Sequence, residues 1–137
     1  MIDKIRTILQ ADSTLTTALG SSNNIFLEQV PQAQSPPYLV ITMVDGTPND
    51  SKTSTSKMDQ NIINITAYAK QPVDYNGVSG SISLMDLVRD ALDGYDGTVS
   101  GMTIYCRNID TGSALNLSIP NKPMHGFDMD FEAYVTR

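Results

Sequence analysis

Cys106 and His125 are the one pair in this chain that could form a thiol–imidazole couple. In such a couple the imidazole takes the sulfur's proton and frees a nucleophile. It needs the base within hydrogen-bond reach and usually a third group to orient it, and sequence spacing supplies neither. No nucleophile-elbow glycines flank Cys106. It alternates within an apolar run, which reads as a buried structural cysteine packing as a small hydrophobe. His125 stands between Met124 and Gly126 at a strand entry and reads as structural too. Asp45-Gly46-Thr47-Pro48-Asn49-Asp50 brings oxygen ligands together, but it lacks the spaced carboxylates and closing Glu of a calcium loop and reads as a solvated turn. Asp93 and Asp96 flank Gly94 and read as turn residues. Asp128, Asp130 and Glu132 are three carboxylates on one strand face. Crowded like charges should face water or a basic partner. The plain reading is a solvated face; the sharper one is an intersubunit or channel-lining surface. Phosphate-loop, zinc-spacing and triad patterns are missing. No catalytic residue, metal or cofactor is therefore expected.

The bulk properties narrow the classes further. The chain has 137 residues, which fits one domain with an ordinary core. A single cysteine rules out an intramolecular disulfide and suits a reducing compartment. The N-terminal residues lack the apolar run of a signal peptide, and no stretch approaches the ~20 apolar residues of a membrane span. A protein made and kept in the cytoplasm, away from membranes, is expected. The formal charge is −6, and its nine Lys and Arg are scattered. Binding nucleic acid by neutralising phosphates needs clustered cations, so a direct nucleic-acid reader is not expected. An acidic surface does suit DNA sliding past without sticking.

The elements that would hold these residues follow from periodicity. Ile2, Ile5, Ile8 and Leu9 predict a helix over 3–10. A second helical turn follows, capped by Asp12 or Ser13 and stopped at Gly20. A short strand is expected at 25–30, then proline punctuation, then a central strand at 38–44 that is apolar on both sides. Residues 45–57 are uniformly polar and predict a long mobile hairpin loop, a partner-contact segment with Thr47, Asp50, Lys52 and Lys57 as candidate contacts. A strand at 60–69, a connection at 71–80 and a main helix at 81–92 come next. That helix should bury Leu84, Leu87, Val88, Ala91 and Leu92. A turn at 93–97 ends it. A strand at 102–109 holds Cys106, and 110–124 is mostly connection with a short strand available at 114–119. The close at 126–136 alternates strictly, with Phe127, Met129, Phe131, Ala133 and Val135 on one side. The whole predicts an α+β fold: a mixed or antiparallel sheet with one main helix packed on one face and an N-terminal helix.

Several of these stretches, in order, resemble the tail completion, or tail terminator, family of long-tailed bacteriophages. They are the opening helix with Leu9, Ala11-Asp12 and Leu15; Ile25-Phe26, Val30-Pro31-Gln32 and Pro36-Pro37-Tyr38-Leu39-Val40-Ile41; Ile63-Asn64-Ile65-Thr66-Ala67-Tyr68-Ala69; the helix ending Leu92-Asp93-Gly94; and His125-Gly126-Phe127. The usual aromatic before the small residue of the middle strand is absent here. The resemblance implies a non-enzymatic virion part spanning 1–137 as a single tail-terminator-like domain. It implies a homo-oligomeric ring, often hexameric, that caps the tail tube, ends tail growth and offers a joining surface to the head connector. The implied partners are the tail tube protein and the head connector protein, without sequence-specific nucleic-acid binding, and the implied location is the phage tail after assembly in the host cytoplasm. A head-completion or neck protein is the alternative from the same biology. A small cysteine hydrolase using Cys106 and His125 is the alternative from another class.

Overall fold

The computed structural model describes residues 1–50, 57–119 and 122–136, with side chains outside 47–50, 57, 111, 113–119, 122 and 123. Three helices lie on one face of a six-stranded sheet ordered β1-β2-β3-β6-β5-β4. The sheet is mixed, because β1 (Ile25–Leu27) runs parallel to β2 (Tyr38–Asp50) while every other neighbouring pair is antiparallel. The expected α+β fold is the one observed.

α1 (Ile2–Gln10) buries Ile5, Ile8 and Leu9, the stripe that its spacing dictates. α2 (Ser13–Leu19) is capped by Asp12, whose Oδ1 accepts the Leu15 N–H at 2.9 Å, and Gly20 closes it. α3 (Ser81–Leu92) has the bounds that its pattern predicts. Its buried side differs slightly from expectation. Met85 and Ser81 lie fully inside with Leu84, Val88 and Leu92, while Leu87 and Ala91 pack at the margin. The stripe is rotated because the helix lies over both β3 (Lys57–Ala69) and β6 (Lys122–Thr136).

The core is the layer between helices and sheet. Ile63, Ile65 and Ala67 from β3 meet Met129, Phe131, Ala133 and Val135 from β6 and Leu39 and Ile41 from β2. Ile104 and Cys106 from β5 (Met102–Ile119) complete it. Strand side chains alternate faces, so each of these strands gives its other set of side chains to the opposite side of the sheet.

Four expectations need correction. Residues 45–57 do not form a loop throughout. β2 continues to Asp50 and β3 begins at Lys57, so Thr47, Asp50 and Lys57 sit on paired strand backbone, Thr47 opposite Gln60 and Asp50 opposite Lys57. Lys52 lies outside the described residues. Polarity misleads here because a ladder satisfies backbone groups whatever the side chains are. β1 stops at Leu27 rather than residue 30, because Glu28 turns to φ 64 and its carboxylate accepts the Met43 N–H. A strand, β4 (Asp96–Val99), follows the turn after α3 and pairs with β5. Finally, β5 runs on to Ile119 and β6 starts at Lys122, so most of the expected connection at 110–124 is strand. Two irregularities interrupt β5, between Asn108 and Asp110 and between Asp110 and Ser113. Gly112 lies within the second. Its φ is 89, and a Cβ there would fall 1.5 Å from the Asp128 carbonyl oxygen, so only glycine fits. Such an irregularity breaks the period-two pattern and hides the strand in the sequence.

Candidate interaction surface

Among the described residues no helix covers the second face of the sheet. It carries Tyr38, Val40 and Thr42 from β2, Gln60, Ile62, Asn64, Thr66 and Tyr68 from β3, and Asp128, Asp130, Glu132 and Tyr134 from β6. Tyr105 and Arg107 of β5 continue it, since they stand opposite Tyr134 and Glu132.

At one end the face is aromatic. Tyr38 stacks on Tyr68 with ring centroids 5.1 Å apart and meets Phe26 edge-on at 6.0 Å. Burial pushes both tyrosine hydroxyls above their ordinary range, and the Asp128 carboxylate adds to the shift at Tyr68.

In the middle the face is a polar network. The Asn64 amide donates to Asp128 Oδ2 at 3.1 Å and to Asp130 Oδ1 at 2.9 Å. Thr66 Oγ1 in turn donates to Asn64 Oδ1 at 2.9 Å. One amide thus holds two carboxylates that stand two residues apart on β6, and their mutual repulsion is offset by a shared donor.

Glu132 corrects the expected solvated triplet. It is only 5% exposed. Arg107 Nε and Nη2 donate to its Oε2 at 2.7 and 2.6 Å, Tyr134 Oη donates to Oε1 at 2.8 Å, and Gln60 Nε2 also donates to Oε1. A buried carboxylate is tolerated when its oxygens are all engaged. The Tyr134 hydroxyl, then Arg107 and Gln60, hold its carboxyl below the ordinary range against the opposing effect of burial. Scattered cations misled the sequence reading: one Arg at the right register position suffices. Asp128 and Asp130 remain half-buried.

The thiol–imidazole couple does not form. Cys106 is fully buried opposite Ala133, and burial pushes its thiol up to about 12. His125 lies opposite Ala69 and Asn116, eight residues along β6 from Ala133, or roughly 27 Å of strand. Its Nδ1 sits 2.5 Å from the buried Ser81 hydroxyl at the start of α3. Among the described residues no three His, Cys, Asp or Glu gather to hold a metal ion. No helix there is long and apolar enough to cross a membrane.

A second feature escapes the sequence reading. The connection at 71–80 contains a minimal hairpin, in which Tyr75 and Val78 exchange both backbone hydrogen bonds at 3.0 Å. Asn76 and Gly77 take the two positive φ values of its turn, 51 and 77. Asn-Gly is the strongest short hairpin signal, and it is present here. The hairpin holds Val73, Tyr75 and Val78 in water at 57%, 68% and 43% exposure.

Comparison with known proteins agrees with this architecture. One chain of a solved structure, the virion of a native gene transfer agent particle, has the same fold: the TM-score is 0.69 at 17% identity, over 98% of this chain and 93% of that one. No curated protein matches the chain. Residues 3–136, from the opening helix to the end of β6, match the model of a family described as tail completion protein gp17. With nearly every element of the fold inside that match, the chain belongs to the tail completion protein gp17 family.

Proposed function

We propose that this protein is a non-enzymatic virion part that caps the phage tail tube as an oligomeric ring, ends tail growth and offers a joining surface to the head connector. Residues 1–137 act as a single tail-terminator-like domain in this reading. The observation that carries it is the family match over 3–136. Two further points support it. The fold recurs in a chain of the gene transfer agent virion. The second sheet face combines an aromatic end with a polar network, keeps Asp128 and Asp130 half-buried and is covered by no helix among the described residues, as suits a surface that meets other proteins.

Within the proposal, Asp128 and Asp130 belong to a face that meets a neighbour or lines the channel, while Glu132 anchors that face from below. The paired arm carrying Thr47, Asp50 and Lys57 contacts the tail tube or the connector. An acidic channel would keep passing DNA from adhering. The test is a phage lacking this gene. Overlong tails in electron micrographs are expected, and normal tails with DNA-leaking heads would refute tail termination in favour of a neck role.

A further inference from the structure

The hairpin at 71–80 is a fastened knob. Gln71 Nε2 donates to the carbonyls of Val78 and Tyr75 at 3.1 and 3.4 Å, and Asp74 Oδ1 accepts the Gly80 N–H at 2.7 Å. Ser79 Oγ ties it to α2 through the Ala18 carbonyl at 2.7 Å. Tyr75 and Val78 are a directly opposed hydrogen-bonded pair, so their side chains share one side of the ribbon. A solvent-exposed Tyr flanked by two exposed Val costs hydration without serving the core. A pre-ordered aromatic anchor of this kind binds without a large ordering penalty.

The molecule also carries a matching hole. A groove of about 430 Å³ runs along the sheet edge at β1, where α1 meets it, lined by Arg6, Phe26, Leu27, Gln29, Val30 and Pro31. Phe26, Leu27, Val30 and Pro31 supply its apolar wall, and Gln29, Arg6 and backbone make nearly half of the lining polar. Arg6 has no ion-pair partner among the described residues. The knob answers both features: Val73, Tyr75 and Val78 are apolar, and the exposed Asp74 between them keeps Oδ2 without a partner among the described residues. Tyr75 is too exposed to occupy the groove of its own chain.

We propose that the occupant of the Arg6–Phe26–Pro31 groove is a second copy of this chain, whose Tyr75 knob inserts there with Asp74 facing Arg6. Knob and groove are different patches, so the contact is head to tail, and repeated with a constant rotation it closes a ring. This rests on the ring reading above and names the residues that would build it.

Cross-linking tests it directly, because the native Cys106 is buried and leaves the background clean. Under mild oxidation the double variant Tyr75→Cys with Val30→Cys should give a ladder of disulfide-linked multimers, whereas either single variant stops at a dimer. Tyr75→Ala should melt like wild type yet need roughly tenfold more protein to assemble, read as mass in solution. A wild-type ring whose assembly ignores Tyr75→Ala, with no ladder from the double variant, overturns this inference and leaves the ring reading standing. Normal rings from Tyr75→Ala that fail to join tube or connector also overturn it, since the knob then serves another protein. Wild-type protein that stays monomeric even with tail tubes overturns both.

Discussion

The two faces of β6 solve the same problem by opposite means. On one side Phe131, Ala133 and Val135 lie under the helices with no polar atom among their side chains. On the other, Asn64 holds Asp128 and Asp130, while Gln60, Arg107 and the Tyr134 hydroxyl hold Glu132. Apolar burial is non-directional and roughly proportional to area, so the first face supplies stability. Hydrogen bonds demand particular partners and gain less on balance, so the second face fixes which residue stands opposite which. A one-residue slip would turn the carboxylates into the apolar layer under the helices and turn Phe131 out of it. Stability and register thus come from different sides of one strand.

The largest effect should come from the apolar side. Phe131→Ala removes the largest fully buried side chain and should cost about 3–5 kcal/mol, out of a total near 5–15 for a domain of this kind. Urea unfolding should show a lower midpoint at an unchanged slope. Tyr134→Ala, three residues away on the other face, should move the midpoint far less. Equal losses would break the division of labour between the faces.

The next effect separates the faces by pH. Glu132 has its carboxyl held below its ordinary value of 4.5, chiefly by the Tyr134 hydroxyl. A carboxyl depressed in the folded state adds stability above its unfolded value, and that stability is lost as pH falls through the folded one. Glu132→Gln keeps the shape and removes the charge. Wild type should therefore melt above this variant at neutral pH, and the gap should close in acid below 4.5. A gap that is flat with pH would mean that the network works by packing alone.

Much of this division is legible in the sequence, because period two is a direct record of which side of a strand is buried. The strict alternation at 126–136 gives both faces of β6, and the 3.6-residue repeat gives α3 its bounds. What stays hidden is the part set by contacts between strands. Arg107 carries no sign of Glu132, since the two meet only through the β5–β6 register. Residues 110–119 read as connection with only a short separate strand available at 114–119, because the irregularity at Gly112 breaks the alternation. The arm at 45–50 reads as loop because its pairing is satisfied by backbone, which side-chain types do not report. The Asn76-Gly77 signal was available locally and marks the knob.

A smaller effect tests the margin of the core. Cys106 is fully buried with a thiol near 12, so a thiol reagent at mildly alkaline pH should leave native protein unlabelled and react only when urea unfolds it. Cys106→Ala removes about one methylene's worth of buried volume and should cost about 1 kcal/mol, with assembly intact. Rapid labelling of the folded protein would place this end of β5 outside the core.

The smallest effect on folding, and the most informative about function, belongs to Asp128 and Asp130. Replacing both with Asn preserves shape, relieves the repulsion between two carboxylates on one amide, and leaves the Glu132 cluster untouched. The relief of repulsion and the loss of charge-assisted bonds oppose each other, so monomer stability should change by no more than about 0.5 kcal/mol. A change confined to the surface potential should appear only where that surface meets something. If this face touches a neighbour or the channel, phage carrying both substitutions should show altered ring assembly, tail length or DNA passage while the purified monomer melts normally. Normal titre and normal tail length would mean that the open face serves register alone, and the contact surface would have to be sought on the helix side or on the hairpin knob.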